Sequence, residues 1–156
     1  NINGEETDIR MGGYIDRLDM SGGKIRVIDY KTGSRQQKEL KSTDDIFDAS
    51  KIESHTDYYL QTLLYAVIIA ADKSINPMSL PVTPQLFFVQ KMSSRDFSPS
   101  LVINGAEIDD AQDIAKEYIE GLQRLLADIL NPELPFAPTS RTATCLTCPL
   151  SQICRT

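Results

Sequence analysis

Cysteine is scarce in this 156-residue chain: there are three, all within the last dozen residues. An odd count, with no signal-peptide pattern at the start, argues against a disulfide framework. No apolar run reaches bilayer-spanning length, so no membrane partner is expected and a cytoplasmic location is. The phosphate-cradling Gly-x4-Gly-Lys-Ser/Thr loop is also missing, which excludes a nucleotide-driven motor within these residues. Histidine occurs once, as His55. A lone histidine in a polar stretch reads as a surface residue rather than a ligand. There is no internal repeat. The chain starts at Asn1 without an initiator Met and runs almost at once into a strand-like segment, so a piece of a larger protein is expected.

What is present is ordinary for a soluble globular chain: 41% hydrophobic and 24% charged residues. The length fits one domain with a real core. A net charge of −6 argues against wholesale binding of a polyanion, but the charge is unevenly spread. Between Glu107 and Leu130 there are seven acidic and two basic residues. The N-terminal segment instead carries Arg10, Arg17, Lys24, Arg26 and Lys31. For a ligand in a cleft, this local potential outweighs the total.

The most informative segment is the pair of strand-like runs Gly12–Asp19 and Lys24–Lys31 around Gly22-Gly23. Gly-Gly between apolar-alternating runs predicts a two-residue turn, because both central positions need positive φ. That turn sets Ser21 against Lys24 and, carried back along the strands, Asp16 against Asp29. Alternation places Lys31 on the face of Asp29. Carboxylates directly across a strand pair, with Cβ atoms about 5 Å apart, repel. A divalent cation removes the penalty, since Mg²⁺ takes oxygen ligands from one or two carboxylates together with phosphate. The lysine adds a point charge able to hold a phosphate or polarise a water. An exposed hairpin face with solvated charges is the plainer alternative, and a one-residue slip in register would separate the aspartates.

Residues 34–56 read as a polar loop or partly ordered insertion. Thr56 or Asp57 can cap a helix running to about Asp72. Its residues Leu60, Leu63, Leu64, Val67 and Ile68 predict a largely buried element. Gln61 and Tyr65 share a face, with Tyr58 one turn earlier, and on pattern alone they read as boundary residues of a core helix. Residues 76–84 form a proline-punctuated connection, and Gln85–Lys91 reads as a buried central strand. Residues 100–104 suggest a short strand ending in a turn at Asn104-Gly105. Residues 108–130 predict an amphipathic helix with the stripe Ile114, Tyr118, Leu122, Leu125, Leu126 and Ile129. Pro132, Pro135 and Pro138 then end regular structure. Cys145, Cys148 and Cys154 form C-x2-C-x5-C, a spacing suited to zinc or an iron–sulfur cluster. Both need four ligands and the cysteines supply three. His55 or an outside group could complete a zinc site.

Taken together, Gly13-Tyr14-Ile15-Asp16-Arg17, Val27-Ile28-Asp29-Tyr30-Lys31-Thr32-Gly33 and Gln61-Thr62-Leu63-Leu64-Tyr65 resemble three motifs of RecB-type nucleases of the PD-(D/E)XK superfamily. These are G-x-[IV]-D-R, DYKT and Q-x-x-x-Y. The cysteine tail is similar to that of AddB-type helicase-nuclease subunits and CRISPR adaptation nucleases, where it supplies three of four ligands to a [4Fe–4S] cluster. The resemblance implies an α/β fold, a restriction-endonuclease-like core with a mixed central sheet flanked by helices. The core would span 1–138 and the cysteine tail 139–156. Asp16, Asp29 and the Tyr30 carbonyl would bind Mg²⁺ or Mn²⁺. Asp16, Asp29, Lys31 and Gln61 would be catalytic, and Tyr65 and Arg17 would contact DNA. Cys145, Cys148 and Cys154 would bind the cluster in the intact protein, with the cluster absent from a chain holding only three ligands. The family's upstream helix, carrying a further metal ligand, and its first cluster cysteine would both lie before Asn1.

The activity so implied is metal-dependent hydrolysis of DNA, at single strands or duplex ends, in recombination or repair alongside helicase domains. A catalytically silent DNA-binding module of the same fold is the alternative. A zinc-bound interaction domain would explain the tail and leave the paired carboxylates unexplained.

Overall fold

The computed structural model describes residues 8–33, 38–135, 137, 145–146, 148–151 and 153. Strands β1 (Arg17–Ser21) and β2 (Lys24–Lys31) form an antiparallel hairpin. Gly22 and Gly23 turn it at φ 62° and 74°, values that cost a side chain but not glycine. The register pairs Ser21 with Lys24 and Arg17 with Ile28, as the turn requires. One expectation is corrected. The strand does not begin at Gly12, for the ladder starts at Arg17 and residues 12–15 lie outside it.

Strand β3 (Val82–Phe88) runs parallel to β2, so β2 is the middle of a mixed three-stranded sheet. The expected central strand at Gln85–Lys91 therefore starts earlier and flanks the centre. Pro84 is tolerated there because a flanking strand can spare one N–H. Residues 89–91 turn into a short 3-10 segment.

The connection from β2 is not a bare solvated loop. Its described part carries 3-10 turns at Thr43–Phe47 and Ala49–Ser54. Leu40, Thr43 and Ile46 are buried. Sparse apolar residues hid this, because a 3-10 turn of five or six residues shows no helical stripe.

Helix α1 (Thr56–Ala71) packs on β2 and β3. Its inward stripe of Tyr59, Leu63, Ala66 and Ala70 is at most 5% exposed, the spacing of one helix face. The residue at its N-cap is His55, rather than Thr56 or Asp57. Strands β4 (Val102–Ile103) and β5 (Ala106–Glu107) form a small hairpin turned by Asn104 and Gly105, both at positive φ. Tyr59 ties α1 to it, donating to Val102 O (2.8 Å) and accepting from Val102 N (3.2 Å).

Helix α2 (Gln112–Ile129) lies outside α1 and packs on the Thr43–Phe47 turn. Tyr118 and Leu122 of its stripe are buried, whereas Ile129, at the far end, is half exposed. The Tyr118 hydroxyl donates to Leu60 O at 2.7 Å. The architecture is thus a mixed α/β sheet flanked by helices. Among the described residues no helix is long and apolar enough to cross a membrane.

Candidate active site

The C-terminal end of β2 and one face of α1 meet around Lys31. Asp29 is 5% exposed because α1 covers this face of the sheet. Lys31 Nζ lies 2.8 Å from Asp29 Oδ2 and donates to Gln61 Oε1 at 2.9 Å. The same ammonium stands 4.7 Å from the centre of the Tyr58 ring. Tyr58, Gln61 and Tyr65 follow one another at three- and four-residue spacing, which aligns them along one helix face.

Asp29 Oδ2 is fully buried, and its contact with Lys31 is too far out of line to be a directed hydrogen bond. Among the described residues only Thr62 Oγ1 shares that condition. The Lys31 ammonium neutralises this carboxylate, and a bound cation would share the oxygen with it.

Asp16 sits one residue ahead of β1, at the end of the hairpin register. Its Oδ2 accepts the Tyr30 N–H at 2.9 Å, which pins the residue beside the β2 end. The β1–β2 pairing stops at Arg17 and Ile28, so this side chain to backbone bond takes the place of that ladder beyond them. The chain reaches this point over Tyr65. A Cβ on Gly13 would overlap the Tyr65 hydroxyl, so the segment carrying Asp16 approaches α1 closely only with glycine there. Tyr65 itself is buried, at 8% exposure.

Arg17 is about half exposed. Its Nε donates to Asp19 at 2.8 Å and its Nη1 to the Tyr30 hydroxyl at 3.3 Å. The hydrogen bond to Asp19, followed by that to Tyr30, raises its pKa still further. It is cationic at every relevant pH.

The donor set suits a hard divalent cation. Asp29 on β2 and Asp16 just ahead of β1 both lie at this end of the hairpin, and Mg²⁺ accepts one or two carboxylates with water and phosphate completing its shell. Among the described residues no group of three or more His, Cys, Asp or Glu is disposed to hold a metal. Any ion here would rest on the two aspartates and non-carboxylate ligands.

Residue reasoning passed over two neighbours of this site. Tyr58 was legible only as a helix-face companion. His55 is half-buried rather than a plain surface residue, its ring stacked on Tyr58 at 4.8 Å and 14°. In the tail, Cys148 N donates to Cys145 O at 3.3 Å and both cysteines are half-buried. Cys154 lies outside the described residues. A groove of about 590 Å³ elsewhere is lined by Lys41, Asp109, Asp113 and Glu117 among others, and by none of the residues above.

Residues 2–155 match the family model of the PD-(D/E)XK nuclease superfamily. No curated protein and no solved structure matches the chain.

Proposed function

This chain belongs to the PD-(D/E)XK nuclease superfamily, and from that premise we propose that it hydrolyses DNA phosphodiester bonds at the Asp16–Asp29–Lys31–Gln61 cluster. Nucleases of this superfamily typically use Mg²⁺ or Mn²⁺. Asp16, Asp29 and the Tyr30 carbonyl would hold that ion. Its chemistry is to acidify a bound water and neutralise phosphate charge.

The observation that carries the reading is the buried Asp29 carboxylate, ion-paired at 2.8 Å with a lysine that also donates to Gln61. A purely structural hairpin gains little from that arrangement, since burying an ion pair costs desolvation that the pair's attraction often fails to offset. Lys31 balances charge that develops on the scissile phosphate, a preorganised contribution strongest in a partly desolvated site. Gln61 keeps the ammonium off other acceptors. Arg17, cationic and half exposed, offers a backbone phosphate a contact near the site. Tyr65, buried under the segment that presents Asp16, is proposed to affect DNA binding through that segment.

We further propose that the intact protein acts in recombination or repair beside helicase domains. Cys145, Cys148 and Cys154 would supply three ligands of a [4Fe–4S] cluster there. Iron and sulfide analysis of the intact protein tests that part, and an iron-free product isolated anaerobically would remove it.

The central test compares cleavage and binding of one labelled oligonucleotide by wild type and Asp29→Ala. Cleavage should vanish while binding stays within about threefold, because affinity comes from phosphate contacts spread along the surface. An Asp29→Ala protein that cuts at near the wild-type rate would falsify the assignment. A wild type that binds but never cuts, with any divalent metal, would favour the silent binding module.

A further inference from the structure

We infer that Tyr58, backed by His55, is a positioning residue that fixes the Lys31 ammonium for phosphodiester hydrolysis. The inference rests on the active-site reading above.

Lysine carries its charge on a flexible four-carbon stem, so a catalytic lysine needs restraint from several sides. Here three groups restrain it: Asp29 at 2.8 Å, Gln61 at 2.9 Å and the Tyr58 ring at 4.7 Å. Asp29 is also a proposed metal ligand, and an oxygen shared with a cation holds an ammonium less firmly. Gln61 and the ring then carry the positioning. A ring face suits the task because it attracts a cation through its quadrupole while bearing no charge of its own. It leaves the full positive charge available to the phosphate.

The ring is itself held in orientation. The His55 ring stacks on it at 4.8 Å and Phe88 meets it at 6.0 Å and 50°. His55 adopts φ 56°, the left-handed cap that closes the preceding Ala49–Ser54 turn with its N–H on Ile52 O. It occupies the N-cap of α1 yet makes no side-chain cap bond. Ser, Thr, Asp or Asn would serve that position better. Side-chain capping thus gives no account of a histidine here, whereas its stacking on Tyr58 and its Nδ1 contact with Asp57 at 3.7 Å do.

Two substitutions separate the ring face from packing and from the hydroxyl. In the Mg²⁺-supplied full-length protein, Tyr58→Leu keeps apolar bulk and removes the face. Its kcat should fall about tenfold with KM changed less than about twofold, the scale of one partly desolvated cation–π contact. Tyr58→Phe keeps the face and should recover most of the lost rate. A readout independent of cleavage is the NMR position of the Lys31 ε-methylene, assigned by its loss in Lys31→Ala. Ring current should displace it upfield in wild type and Tyr58→Phe, and the displacement should disappear in Tyr58→Leu.

The inference is overturned if Phe is as slow as Leu, if Leu cuts like wild type, or if the lysine signal does not respond to the ring. Should Tyr58→Leu fail to fold, His55→Ala carries the test. It leaves Tyr58 in place and should reduce both the upfield displacement and the rate, and an unchanged signal would count against the device. Asp29→Ala serves as the control. Cleavage by that variant removes the active site, and the positioning role with it. A dead Asp29→Ala beside a fully active Tyr58→Leu removes the positioning role alone.

Discussion

On the proposed reading, single residues at this site have separable duties, and substitution should separate them. Lys31→Ala should lose cleavage by about 100-fold or more while retaining DNA affinity, because the lost charge acts on the transition state. Equal losses in binding and cleavage, measured on one oligonucleotide, would instead make Lys31 a phosphate anchor. Gly13→Ala tests a steric claim. The added methyl would overlap the Tyr65 hydroxyl, so either the ring or the segment leading to Asp16 must shift. A displacement near 1 Å in a catalytic group costs about 100-fold in rate. Gly13→Ala should therefore lower kcat while its melting temperature stays close to wild type. Paired with Tyr65→Phe, which removes the obstructing oxygen, it should recover part of the rate.

Between elements, the contact of α2 with the Thr43–Phe47 turn depends on one glycine. A Cβ on Gly121 would overlap the Phe47 ring. Alanine gains roughly 1 kcal/mol in helix propensity, but overpacking costs about 1–3 kcal/mol, so the balance is destabilising. Gly121→Ala should lower the denaturation midpoint, and an unchanged or raised midpoint would show that Phe47 moves aside freely. The same connection should weaken in acid. Lys51, through its hydrogen bond, holds the Asp45 carboxyl below its ordinary value of 3.8, with the Lys41 N–H and Ser42 adding to the effect. A depressed folded pKa contributes stability that is complete above the unfolded value and lost as pH falls through the folded one. Asp45→Asn should thus lower the melting temperature at pH 7. The gap to wild type should close below about pH 3.8, and a gap that persists in acid would assign the effect to packing.

For the whole molecule, a cation that binds only the folded site must stabilise it by mass action. Added Mg²⁺ or Mn²⁺ should raise the melting temperature of wild type and leave Asp29→Asn unmoved, and chelation should abolish cleavage. An equal rise in both proteins would place the ion elsewhere. The hairpin turn, its register and the superfamily were legible in the sequence. Gly22-Gly23 admits few backbone conformations, and a turn of fixed length determines every pair that follows it. The two long helices were legible because an apolar stripe repeats over many residues. The strand at Val82–Phe88 was misread at its start and in its place because Pro84 signals a break, and only parallel pairing to β2 shows that this position tolerates it. The buried core residues between β2 and α1, the turn of His55 onto Tyr58 and the approach of Gly13 to Tyr65 depended on tertiary structure. Each joins groups far apart in the chain or sets a side-chain direction by packing. Local propensity carries no term for contacts of that kind, so the sequence specified which chemistry was present and the fold decided which groups hold Lys31 in place.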